Sequence, residues 1–276
     1  MPEVWAGALG EERAASTAGG GTALTTTAGY ITLPRWSDHI SITPRNFTAT
    51  TLVAKVHLNP WLVVLKTTDN FVSEGKLTDY SNNAQDDSTS TVVDLSSLDT
   101  RANGDYVLIG THLPIRGIYG TVLATNSTAS VTMSMDYWRG IWADVTLTAD
   151  GMKSSTAFDQ SGLAYWTVLT DQKYATIKEM IPSAPTFTGA LGYLNDVSLY
   201  WFRMEVDLAV DSTTQLSSLV AANRDTSHYI ELKSGQTYSR RIKHGIKGIG
   251  CIEALTAAST ANLVVNTATE AGGTYR

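Results

Sequence analysis

The side chains to weigh first are those able to bind a metal or move a proton. The chain has five histidines, His39, His57, His112, His228 and His244. None falls in an HxxxH or HxH pair, and a lone cysteine cannot make a CxxC, so the usual metal-site spacings are missing. Asp38 and His39 are adjacent, but adjacent residues on a strand face opposite ways. There is no nucleophile elbow and no phosphate- or dinucleotide-binding glycine motif, and Gly245 to Gly250 lacks the strand–turn–helix setting such loops need. Five carboxylates (Asp136, Asp144, Asp159, Glu205, Asp207) could in principle supply a glycosidase pair. Asp136 and Glu205 fall on the polar faces of strands, where charge needs no catalytic reason. Gln85 with Asp86 and Asp87 lacks the spaced acidic ladder of a calcium loop. The expectation is a chain that is not an enzyme and carries no cofactor and no metal.

Three features suit binding better than catalysis. The dipeptide Tyr-Trp recurs at 137–138, 165–166 and 200–201. If Trp138, Trp166 and Trp201 lined up across neighbouring strands they would form a platform for sugar rings or a subunit, because aromatic faces give large contact area at low entropy cost. The alternative is core packing. Arg240, Arg241, Lys243 and Lys247 make a basic cluster, either a solvated loop or a contact for an acidic partner. Val4 and Trp5 could anchor an N-terminal assembly arm, since Ala14 to Ala28 is too rich in Ala, Gly and Thr to form a core of its own.

The element that organises the rest runs from Leu199 to Leu208. Tyr200, Phe202, Met204, Val206 and Leu208 alternate with Trp201, Arg203, Glu205 and Asp207. Period two means a half-buried strand with its charged face in water. Similar alternation marks Leu52 to Leu58 and Val131 to Tyr137, while Trp61 to Leu65 is apolar throughout, as in a strand covered on both faces. Thr67 to Thr91 has the composition of a long exposed loop, Asn103-Gly104 signals a tight turn, Asp171 to Met180 is the one helical candidate, and Ser183 to Gly192 is a loop long enough to reach a neighbour. About eight strands are expected between 92 and 220, separated by turn signals.

The predicted fold is all-β: a jelly-roll-like β-sandwich (91–220), inserted into or following a smaller β-domain built from both chain ends (30–90 plus 221–276), with residues 1–29 as a flexible arm. The totals agree with strands and turns. Of 276 residues, 43% are hydrophobic and only 17% charged, with Thr and Ser in their place. A net charge of −6 makes nucleic acid an unlikely partner. One cysteine, Cys251, excludes an intrachain disulfide. No signal peptide or membrane span is visible, so synthesis in a cytoplasm and no membrane role are expected.

Four stretches, Ile31 to Ile40, Asp105 to Gly117, Met135 to Val145 and Leu199 to Thr214, resemble structural proteins of tailed bacteriophage particles. The resemblance covers most of 30–265 and lies in word order rather than in a catalytic motif. It implies a non-enzymatic virion component: a capsid decoration, connector or tail-associated subunit. Its partners would be other virion proteins and copies of itself, in a trimer or ring. The alternative function is a glycan-binding sandwich used in host attachment.

Overall fold

The computed structural model describes residues 11–13, 22–23, 30–32, 39–45, 52–85, 88–222, 230–233, 236–241, 246–254 and 262–268. The chain makes two compact units, Met1–Asn59 with Asp225–Arg276, and Pro60–Arg224. Every sheet is antiparallel throughout its recorded pairings.

The unit of the two chain ends holds β1 (Glu11–Arg13), β2 (Thr22–Ala23), β3 (Tyr30–Thr32), β4 (His39–Arg45) and β5 (Leu52–Pro60). The central unit follows with β6 (Leu62–Thr68), β7 (Leu77–Asp79), β8 (Val93–Asp94), β9 (Asp105–Thr111), β10 (Gly117–Ala124), β11 (Met133–Trp138), β12 (Trp142–Asp144), β13 (Leu147–Asp150), β14 (Gly162–Trp166), β15 (Tyr174–Ala175), a one-turn helix α1 (Ile177–Met180), β16 (Leu199–Val206) and β17 (Gln215–Ala222). The chain returns to the first unit with β18 (Ile230–Lys233), β19 (Tyr238–Arg241), β20 (Ile246–Ala254) and β21 (Asn262–Ala268). The terminal unit's sheets run β1-β21-β4-β19, with β2 also on β21, and β18-β5-β20-β3.

The expected free arm is therefore partly placed. Glu11–Arg13 pairs with Val265–Thr267, and Thr22–Ala23 with Asn262–Leu263. Strand pairing uses main-chain groups, so a segment poor in apolar side chains can still join a sheet. The division between units falls at Pro60, not near 91, because β6 is a central strand of the second unit, bonded along its whole length to β9.

The central unit is two sheets, β12-β11-β16-β9-β6-β7 with β15 also on β16, and β13-β14-β10-β17-β8. Between them lies one core. Val107, Ile109, Phe202 and Met204 from the first sheet meet Ile118, Trp166, Leu216 and Leu219 from the second. Phe202, Met204 and Val206 fill it as their period predicts, but β16 ends at Val206, and Leu208 is exposed.

A second core covers the outer face of the first sheet. Val63, Leu65, Leu108, Leu199 and Trp201 lie beneath Ile177, Phe187 and Leu194. This explains why Trp61 to Leu65 is apolar at every position. It also bears on two expectations. The 183–192 segment is anchored by Phe187, which is buried on its own sheet, and the Asn195 side chain bonds both the Phe187 N–H and its carbonyl at 2.9 Å, while Thr186, Thr188 and Gly189 stay exposed. The 67–91 segment is not an open loop. Phe71, Ser81, Ala84 and Gln85 are buried. The helix is a single turn rather than ten residues, and Thr176 and Glu179 form a reciprocal capping box at its start.

Two further sets of contacts supplement the edges of the first sheet. Beyond β7, the Gln85 amide takes the place of a strand, its Oε1 accepting the Leu62 N–H (2.8 Å) and its Nε2 donating to the Leu62 carbonyl (2.7 Å). Ser81 Oγ accepts the Val64 N–H at 3.0 Å. On the other side the chain crosses between sheets from β12 to β13, and Val145 N–H donates to the Met135 carbonyl at 2.7 Å.

Candidate functional site

The three tryptophans do not form a row. Trp166 is fully buried in the core between the sheets, its ring 5.1 Å from Phe202. Trp201 is buried on the opposite face of β16, and its indole N–H donates to the Ala175 carbonyl at 2.8 Å. It lies flat on β9 only because its register partner is Gly110, where a Cβ would come within 2.6 Å of the ring. Trp138 is half-buried at the end of β11 and packs edge-on against Trp142 at 5.4 Å. The strand period places the rings of each Tyr-Trp pair on opposite faces, but it cannot say which outer faces a further layer will cover.

The polar face of β16 is also covered, against expectation. Arg203 is 5% exposed and lies opposite Asp136 of β11 in register. It forms ion pairs with Asp136 and Glu205, while Arg101 adds a longer bridge to each, at 3.8 and 3.6 Å. Its guanidinium sits 4.5 Å from the Trp142 ring and 5.6 Å from Tyr106. Burial pushes the Tyr106 hydroxyl up to about 12. Burial, with repulsion from Asp136, raises the Glu205 carboxyl despite Arg203. Two arginines and two carboxylates thus neutralise one another under aromatic cover. The two acids are held by cations on both sides.

The other carboxylates hold turns. Asp159 accepts the N–H groups of Ser154, Ser155 and Thr156, which bring its pKa to about 2 despite its partial burial. Asp207 accepts the Thr132 N–H at 2.7 Å, and Asp144 is exposed at the end of β12. Gln85, one of the calcium candidates, is spent on the edge of β6. Among the described residues no cluster of His, Cys, Asp or Glu is arranged to hold a metal ion.

Val4, Trp5 and Lys243 lie outside the described residues. Arg240 and Arg241 are on β19, paired with Ile40 and His39, and Lys247 is on β20, so the basic run spans two strands rather than one loop. The side chains of these three residues are not among those described.

The structure brings together a group that composition does not single out, at the end of the sandwich where β11 finishes and β16 begins. Tyr174 lies opposite Tyr200 in register, and their rings stack at 3.9 Å. The Tyr174 hydroxyl donates to the His112 carbonyl at 2.5 Å, which fixes the ring. Three residues earlier on the same segment, Asp171 accepts from the Tyr137 hydroxyl (2.9 Å) and from Arg139 (3.1 Å). These two bonds hold the Asp171 carboxyl below its usual range. Lys173 N–H donates to the Trp138 carbonyl at 3.1 Å, tying this segment to the β11–β12 hairpin. Tyr174, Val168 and Ile141 are 50%, 54% and 63% exposed. The only sequence signal was the Tyr200-Trp201 dipeptide, and there the tyrosine, not the tryptophan, is the accessible ring.

The chain matches no protein-family model, no curated protein sequence and no solved structure.

Proposed function

We propose that this chain is a non-enzymatic structural subunit of a bacteriophage particle, with a jelly-roll central unit carried between the halves of a β-rich terminal unit. The observation behind this reading is the strand order. Counting β8, β9, β10, β11, β12, β14, β16 and β17 as first to eighth, one sheet runs first-eighth-third-sixth and the other second-seventh-fourth-fifth. That is the order of two interleaved Greek keys, a plan shared by viral capsid and lectin domains. Subunit contacts bury about 1,200–2,000 Å² in a stable complex, and closed symmetry favours a trimer or ring.

The test is the solution mass of the full chain by light scattering over a hundredfold concentration range, with electron microscopy of the product. A discrete trimer or ring is the expected result. A monomer at every concentration would overturn self-assembly as its mode of action.

A further inference from the structure

We infer that the exposed aromatic end of the sandwich is a saccharide-binding site, with Tyr174, stacked on Tyr200, as its platform and Asp171 and Arg139 as its polar rim. The inference goes beyond a role in assembly and stands on a different part of the molecule from the terminal unit.

The argument is geometric. A hexopyranose presents a flat patch of C–H groups and a fringe of hydroxyls, each both donor and acceptor. Its natural complement is an aromatic plane bordered by a carboxylate and a guanidinium. Tyr174 supplies the plane, half exposed and locked by Tyr200 and by the His112 carbonyl, so binding freezes little further motion. Asp171 is ionised, and its side chain is 49% exposed with acceptor capacity left after two bonds. Arg139 is 43% exposed and has N–H groups beyond the one given to Asp171. Val168 and Ile141, on the segments that carry Asp171 and Arg139, are also exposed. Exposed apolar side chains grouped with convergent polar ones mark a contact surface, and the mouth of a β-sandwich or barrel is a common place for it. The mixture of ring, anion and cation fits a neutral sugar better than a purely apolar protein contact.

The experiment uses the full-length protein and a panel of linear neutral hexasaccharides: maltohexaose, cellohexaose, mannohexaose and chitohexaose. Saturation-transfer NMR detects contact and titration calorimetry measures it. At least one member is expected to bind, and Tyr174→Ala to weaken it by about tenfold or more, as for an aromatic anchor. Asp171→Asn, which keeps the shape of the rim, is expected to weaken it by a smaller factor. Should Tyr174→Ala fail to fold, Val168→Asp serves as the second variant, because Val168 is exposed and its change places a charge on the segment that carries Asp171 and Tyr174. Binding by no member, or binding unaltered in both Asp171→Asn and a folded platform variant, overturns the site. So does a platform variant that changes the solution mass while no sugar binds, because the patch is then a subunit contact.

Discussion

At the scale of single residues, burial rather than residue type decides what each charged side chain does. Arg203 faces two buried carboxylates, so Arg203→Met leaves both without their main partner. It is expected to cost about 3–5 kcal/mol in urea unfolding. Glu205→Gln keeps an acceptor for Arg203 and removes a charge that burial disfavours, so the change is expected to stay below about 1 kcal/mol at pH 7. The sign with pH follows from the raised Glu205 pKa. Its contribution is fully present below the unfolded value of 4.5 and is lost as pH rises through the folded one. Glu205→Gln should therefore gain on the parent as pH is raised from 4. Asp159 behaves oppositely: its folded pKa, about 2, lies below the ordinary 3.8, so its stabilisation is present above 3.8 and lost as pH falls toward 2. Asp159→Ala is expected to cost about 1 kcal/mol at pH 7, the usual size of a lost cap, and progressively less as pH falls toward 2. Thermal melts across pH 2–8 test both signs.

At the scale of elements, two small residues decide how strands are covered. Gly110→Ala would drive a Cβ into the Trp201 ring, and overpacking of this kind costs roughly 1–3 kcal/mol. Gln85 closes the edge of β6 with one side chain, so Gln85→Leu leaves the Leu62 N–H and carbonyl buried without partners, at about 1–3 kcal/mol per group. The two losses should also differ in kind. Gly110→Ala should lower stability alone, whereas Gln85→Leu should also expose an edge and promote aggregation on mild heating, read by light scattering.

At the scale of the whole molecule, the chain divides into a central sandwich and a terminal unit assembled from both chain ends. Residues 11–23 contribute β1 and β2, both on β21. Deleting residues 1–23 removes that pairing while leaving every central strand in place. The expected outcome is a smaller oligomer with an unchanged melting transition for the central unit, measured by light scattering and calorimetry. An unchanged mass would assign assembly to the central unit's loops instead.

The strands themselves are legible in the chain. Alternation at Val131 to Tyr137 and Tyr200 to Val206, and the unbroken apolar run at Trp61 to Leu65, identify β11, β16 and β6, because a period of two or none is a local property of strand geometry. All-β character and several antiparallel sheets follow from such signals. Which second layer covers a strand does not. Trp201 and Arg203 look like an outward face by period, yet folding lays residues 177–194 over one and Trp142 over the other. Composition marks 67–91 as loop, yet Gln85 is buried there because its amide can pair with a strand that lacks a neighbour. The pairing of Tyr174 with Tyr200, and the bonds of Asp171 to Tyr137 and Arg139, join residues from three segments of the chain. Periodicity carries information about one strand and its two faces, whereas these contacts depend on where other segments come to rest, and that is set only when the whole unit packs.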